Sequence, residues 1–132
     1  MKIAIHNHGP EDKNFPTPQS VLEAVKGMDA RMGLCMDIGH TMRSGVNPTE
    51  AAKMAGARLL DLHTKDVHLG KDGKWVSADC GDGDIDLVAL FRQLKKQSFA
   101  GSCNLEYEVA GAGKDVGIQR CVYYLRGVAA AI

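Results

Sequence analysis

Side chains able to bind a metal or move a proton recur at four separated points in this chain: His6 with His8, Asp37 with His40, His63, and Glu106 with Glu108. Imidazole nitrogens and carboxylate oxygens together suit borderline divalent ions such as Mn²⁺, Co²⁺, Zn²⁺ or Fe²⁺. Two carboxylates would neutralise such an ion and leave a centre that still polarises a neutral oxygen ligand. Taken singly, each residue has an ordinary structural reading. A histidine closing a strand is commonly a satisfied or solvent-facing group, and Asp or Glu there commonly caps a loop. What argues for chemistry is that all four sites fall at the same place in a repeating pattern.

That pattern is an alternation of short apolar runs and helical segments. Lys2–His8, Met32–Asp37, Leu59–His63 and Ser102–Glu108 have strand length, and the middle two are apolar enough for strands covered on both faces. Thr17-Pro18 opens the first helical segment as N-cap plus proline, with Val21, Leu22 and Val25 on one face and Gly27 as the stop. Asn47-Pro48-Thr49-Glu50 opens the second, which Gly56 ends. Leu87, Leu90, Phe91 and Leu94 give the third its apolar stripe, with Lys95-Lys96 at its negative end. Ile118, Cys121, Leu125 and Val128 mark the fourth, from about Asp115 to Ala130. The order β-α-β-α-β-α-β-α predicts an α/β fold with a parallel sheet. In such sheets the C-terminal strand ends converge on the ligand site, so the four chemical points are expected on one rim. The glycine-rich stretch His68 to Asp84 reads as a long functional loop.

The 132 residues read as one domain, with no linker or compositional break. Lys+Arg and Asp+Glu balance at 16 each, which argues against a nucleic-acid binder. No apolar run approaches the roughly 20 residues that cross a bilayer, so no membrane partner is expected. The start shows no secretory pattern. Cys35, Cys80, Cys103 and Cys121 lack metal-motif spacing and read as reduced thiols of a cytoplasmic protein.

Five strings in order sharpen the reading: Ile3-Ala4-Ile5-His6-Asn7-His8-Gly9, Gly33-Leu34-Cys35-Met36-Asp37-Ile38-Gly39-His40, Leu62-His63-Thr64-Lys65-Asp66-Val67, Gly81-Asp82-Gly83-Asp84-Ile85-Asp86 and Leu105-Glu106-Tyr107-Glu108. Together they resemble the xylose-isomerase-like TIM-barrel superfamily, which includes sugar isomerases and epimerases, inosose dehydratases and family 2 AP endonucleases. The resemblance spans nearly the whole chain but only strands five to eight of that barrel. It implies a parallel (β/α)4 half-barrel with metal ligands His6, Asp37, His63 and Glu106. His40, with His8 nearby, falls on the substrate side or at a second metal, and Lys65 and Asp66 are implied to contact substrate oxygens. Sugar epimerases of the superfamily carry Glu where this chain has His6, so its His-x-His-Gly string looks more like the inosose-dehydratase side.

The implied chemistry is proton abstraction beside a carbonyl of a sugar or polyol substrate, through an enediolate stabilised by the divalent metal. Glu106 is the expected base, with Glu108 or His40 as alternates and Lys65 assisting. Reprotonation gives isomerisation or epimerisation, and loss of a β-hydroxyl gives dehydration. The alternatives are an inosose-dehydratase-like lyase and a metal-binding fragment without turnover; the balanced charge counts against a nuclease. Trp75 offers an apolar wall for a sugar ring or simply packs the loop. Asp82, Asp84 and Asp86 lack the glutamate of an EF-hand and read as a turn entering a helix cap. Tyr123 and Tyr124 read as packing or interface residues. A half-barrel leaves two sheet edges and an apolar face uncovered, so completion by a homodimer is expected.

Overall fold

The computed structural model describes residues 1–111 and 113–132. Four strands, β1 (Ile3–His6), β2 (Met32–Asp37), β3 (Leu59–Thr64) and β6 (Ser102–Leu105), form one sheet in the order β1-β2-β3-β6. Every pairing within it is parallel. Between β3 and β6 lies an antiparallel hairpin, β4 (Asp66–Leu69) and β5 (Trp75–Ala78). The stretch expected to be one long loop therefore contains most of a hairpin, and its glycines sit at the hairpin turn and in the segment that follows. The helices are α1 (Pro18–Ala24), α2 (Ile38–Arg43), α3 (Pro48–Ala55), α4 (Leu87–Lys96) and α5 (Lys114–Ala131).

Local chemistry accounts for the helix starts. Thr17 and Ser20 exchange capping hydrogen bonds at α1, Asn47 accepts from the Thr49 and Glu50 N–H groups at α3, and Asp86 accepts from the Ala89 N–H at α4. The aspartates of the Gly81–Asp86 string are each used structurally: Asp84 accepts from the Leu69 N–H, and Asp82 pairs with Arg120.

One sheet face is apolar and packs on the helices. Leu34, Met36 and Leu62 there are fully buried, with Val21, Ala51, Ala52 and Leu90 from the helices above them. On α5 the buried positions are Gly117, Cys121 and Val128, while Ile118 is 39% exposed. The expected stripe holds at Cys121, Leu125 and Val128 and fails at Ile118, where Gly117 faces inward instead: a Cβ there would stand 1.9 Å from the Tyr107 hydroxyl.

The opposite face differs from the apolar surface expected of a half-barrel. Strand alternation and the pairing register put His6, Cys35, Asp37, Asp61, His63 and Asn104 on it. The Asn104 amide donates to Asp61 across the two strands at 3.0 Å. The uncovered surface is polar, and its upper end is the candidate site.

Candidate metal centre

β2 runs straight into α2, which makes Asp37 both the last strand residue and the N-cap of the helix. Its Oδ1 accepts from the His40 N–H at 2.7 Å. That bond fixes the rotamer and turns Oδ2 toward the open face. Asn7, buried between His6 and His8, braces the same turn: its Oδ1 accepts from the Asp37 N–H at 3.0 Å, and its amide donates to Thr41 Oγ1 at 3.2 Å. Because alternate residues face opposite ways, Asn7 points into the turn while His6 points at the site. Nothing in the sequence marked Asn7 except its place between two histidines.

The donors of His6, Asp37, His63 and Glu106 lie within 4.8 Å of one another. His6 Nε2 is 3.2 Å from His63 Nδ1 and 3.5 Å from Asp37 Oδ2, and His63 Nδ1 is 3.2 Å from Glu106 Oε2. Ligands bonded at about 2.1 Å in tetrahedral array stand about 3.4 Å apart, so these spacings match a shared cation. The Asp37 side chain is completely buried, and its Oδ2 has no hydrogen-bond partner. A fully buried carboxylate oxygen that faces two imidazoles, with an ion pair to Lys65 but no hydrogen bond, is a position that a divalent ion would satisfy. The donor set fits such an ion.

Lys65 supplies positive charge beside this set. Its buried ammonium is 3.0 Å from Asp37 Oδ2, as an ion pair lacking hydrogen-bond geometry, and 2.7 and 2.8 Å from the Glu106 and Glu108 Oε2 atoms. Its stem passes under α2 at Gly39, where a Cβ would come 2.6 Å from Lys65 Cδ. Burial alone would lower the lysine's pKa, but Asp37, Glu106 and Glu108 outweigh it and raise it. Burial likewise works against charge on Asp37, yet contact with His6, the Lys65 ammonium and the His40 N–H hold its carboxyl far below the usual range. Glu108 follows the same logic: burial is outweighed by the bond and charge of Lys65, and its pKa falls. His40 goes down, chiefly through burial and, against the pull of Asp37, through the positive neighbours Lys65, His8 and Arg43.

Glu106 and Glu108 lie just past β6, where a single rung (Glu106 N–H to Thr64 C=O, 2.9 Å) extends the ladder. Tyr107 between them donates to Asp79 Oδ1 at 2.8 Å, and Arg120 of α5 grips the same carboxylate. That anchor holds the backbone from which both glutamates reach Lys65.

A cleft of about 660 Å³ adjoins the centre, lined by His8, His40, Arg43, Lys74 and Trp75 among others. His8 and His40 stack at 4.6 Å, and their rings lie 5.5 and 6.1 Å from that of His6. Trp75, at the start of β5, stands on the cleft wall. Asp66 does not reach the cleft. Its carboxylate accepts from the Val67, Gly81, Gly83 and Ile85 N–H groups, and it is buried beneath the loop it organises. The substrate contact expected of Asp66 is therefore corrected to loop anchoring: a carboxylate with four backbone donors has nothing left for a substrate.

The family model for the xylose isomerase-like TIM barrel matches residues 1–122. The chain belongs to that family. Solved structures similar to this xylose isomerase-like chain include an L-ribulose 3-epimerase (TM-score 0.81, 15% identity, 98% of this chain and 48% of that one). An IolI protein with a bound zinc atom gives a TM-score of 0.78 at 23% identity, over 98% of this chain and 49% of that one. A 3-keto-D-glucoside 4-epimerase, YcjR, from E. coli gives 0.77 at 16%, over 96% and 46%. At these identities the likeness shows the fold. The chain spans about half the length of these structures, so its parallel four-stranded sheet corresponds to part of a TIM barrel. A search of curated proteins gave no match.

Proposed function

We propose that this chain carries a divalent-metal-dependent sugar isomerase or epimerase site that removes a proton next to a carbonyl. The convergence of His6, Asp37, His63 and Glu106 within 4.8 Å carries the reading. Bound there, a divalent ion would polarise a carbonyl oxygen and favour departure of the neighbouring proton. The protein's own groups supply the rest. Glu106 is the base, and Glu108, on the same ammonium, is positioned to return the proton. A positioned base of this kind contributes ~10²–10⁴-fold. Lys65 favours the charged form of Glu108, pairs with Glu106 and faces the charge that develops on the substrate oxygen. His40, neutral at physiological pH, hydrogen-bonds a substrate hydroxyl, and Trp75 walls the ring. The xylose isomerase-like fold, with sugar epimerases and a zinc-bound IolI protein among its structural neighbours, supports this class of substrate.

His6 favours a second reading, an inosose-dehydratase-like lyase. An imidazole committed to a metal through one nitrogen is a poor base, so a reaction needing carboxylates on opposite faces of the substrate carbon is less well served than loss of a β-hydroxyl. Incubating the Mn²⁺-loaded chain with ketohexoses and keto-inositols in D₂O tests both. Deuterium entering the carbon beside the carbonyl, lost in Glu106→Gln, is expected; water loss from a keto-inositol favours the lyase. Metal binding with neither would leave a metal-binding half-barrel without turnover. The sheet order leaves β1 and β6 as edges, and we propose that a second copy covers them. A monomer by light scattering at micromolar concentration would refute that assembly.

A further inference from the structure

The sheet face below the centre holds a donor that the oxygen-rich set does not use. Cys35 lies two residues before Asp37 on β2, is paired in register with His6, and is 94% buried. Its Sγ and one ring nitrogen each of His6 and His63 lie within 4.8 Å of one another. The two imidazoles are thus common to two donor sets: one completed above by the Asp37 and Glu106 carboxylates, the other below by a thiol.

We propose that His6, His63 and Cys35 form a second, thiolate-containing coordination position for soft or borderline cations such as Zn²⁺, Co²⁺ or Cd²⁺. It is exclusive of the oxygen-rich position because both need the same imidazoles. Imidazole and thiolate favour these ions, whereas Mn²⁺ prefers carboxylate oxygen. Burial and the negative charges of Asp61, Asp37 and Glu106 push the Cys35 thiol up to about 12, so the ion itself must displace the S–H proton to solvent as the sulfur–metal bond forms, with no change of oxidation state. The ion supplied then selects the position: Mn²⁺ keeps the carboxylates engaged, and Zn²⁺ or Co²⁺ draws the histidines down to the sulfur, away from the cleft.

The inference rests on the proposed metal centre, and the test separates the two. Co²⁺ is titrated into the full chain while near-ultraviolet absorption is followed, and Mn²⁺ and Zn²⁺ binding are measured by calorimetry. A thiolate-to-cobalt charge-transfer band is expected in the wild type and in Cys103→Ser, which removes the one exposed thiol. The band disappears in Cys35→Ser, whose Zn²⁺ affinity falls about tenfold or more while Mn²⁺ affinity holds. Glu106→Gln gives the reverse, a retained band and weakened Mn²⁺. Circular dichroism checks the fold of each variant, and the wild-type spectrum decides even if Cys35→Ser misfolds. Mn²⁺ binding with no cobalt–thiolate band, or a band that survives Cys35→Ser, overturns the second position alone. Failure of every ion to bind overturns both readings.

Discussion

The two carboxylates of the centre are held in opposite ways. Asp37 is fully buried at a strand–helix junction, with one oxygen capping α2, its N–H bound by Asn7, and its other oxygen facing Lys65 and two histidines. Glu106 sits at the last rung of an edge strand, its side chain 40% exposed, and is steadied from behind by the Tyr107–Asp79–Arg120 anchor. One half of the centre is built into the core; the other is attached to it. The fold therefore depends on the Asp37 half, while the Glu106 half can change with ligand or metal at little cost to stability.

Removing Asp37 should have the largest effect. Asp37→Ala deletes the helix cap and leaves Lys65 buried without its central partner, a loss of about 3–5 kcal/mol. Metal affinity should fall by about a hundredfold or more, beyond what losing an outer-shell partner costs. Urea denaturation and calorimetry read the two effects. A variant that loses metal but keeps its stability would mean that Asp37 is a ligand only.

The sequence made the first half legible and much of the second not. Apolar runs ending in His6, Asp37 and His63 announced the strands and their rim, and the capping residues Thr17, Asn47 and Asp86 announced the helices, because these signals are local. Asp66 misled for a physical reason. β3 ends at Thr64 and β4 begins at Asp66, so the chain turns between them and drives that carboxylate under the loop. The β4–β5 hairpin was hidden because its strands are only four residues long and flank a glycine-bearing turn. The packing of Gly39 on Lys65 and of Gly117 on Tyr107 is invisible without coordinates, since it joins residues far apart in sequence.

Those glycines test the whole cluster and its outer half in turn. Gly39→Ala pushes a methyl into the Lys65 stem, and Gly117→Ala pushes one into the Tyr107 ring; each should cost about 1–3 kcal/mol. Gly39→Ala displaces the ammonium from all three carboxylates. Gly117→Ala loosens only Glu106 and Glu108, so it should weaken metal binding less. Equal loss of metal affinity in the two variants would contradict the division.

Acid should act on the core half through His40. Its pKa is held below the ordinary 6.5, so the unfolded chain binds a proton there that the native one does not. The stabilisation from neutral His40 is present above about 6.5 and lost as pH falls through the native value. In urea melts between pH 7.5 and about 5, the wild type should lose more stability than His40→Gln. Parallel curves would show that His40 titrates freely.

Glu106→Gln should have the smallest effect on stability and decides the comparison. The substitution keeps side-chain size and an oxygen for Lys65, removes a charge that is partly exposed, and leaves Asp37 and Glu108 on the ammonium, so stability should fall by no more than about 1 kcal/mol. Mn²⁺ affinity should nonetheless drop about 10–100-fold, because an anionic ligand becomes a neutral amide. A small cost in stability beside a large cost in binding is the signature of a group attached to the core rather than built into it. If Glu106→Gln instead destabilises the chain as Asp37→Ala does, the Lys65 cluster is one structural unit, and the distinction between its two halves fails.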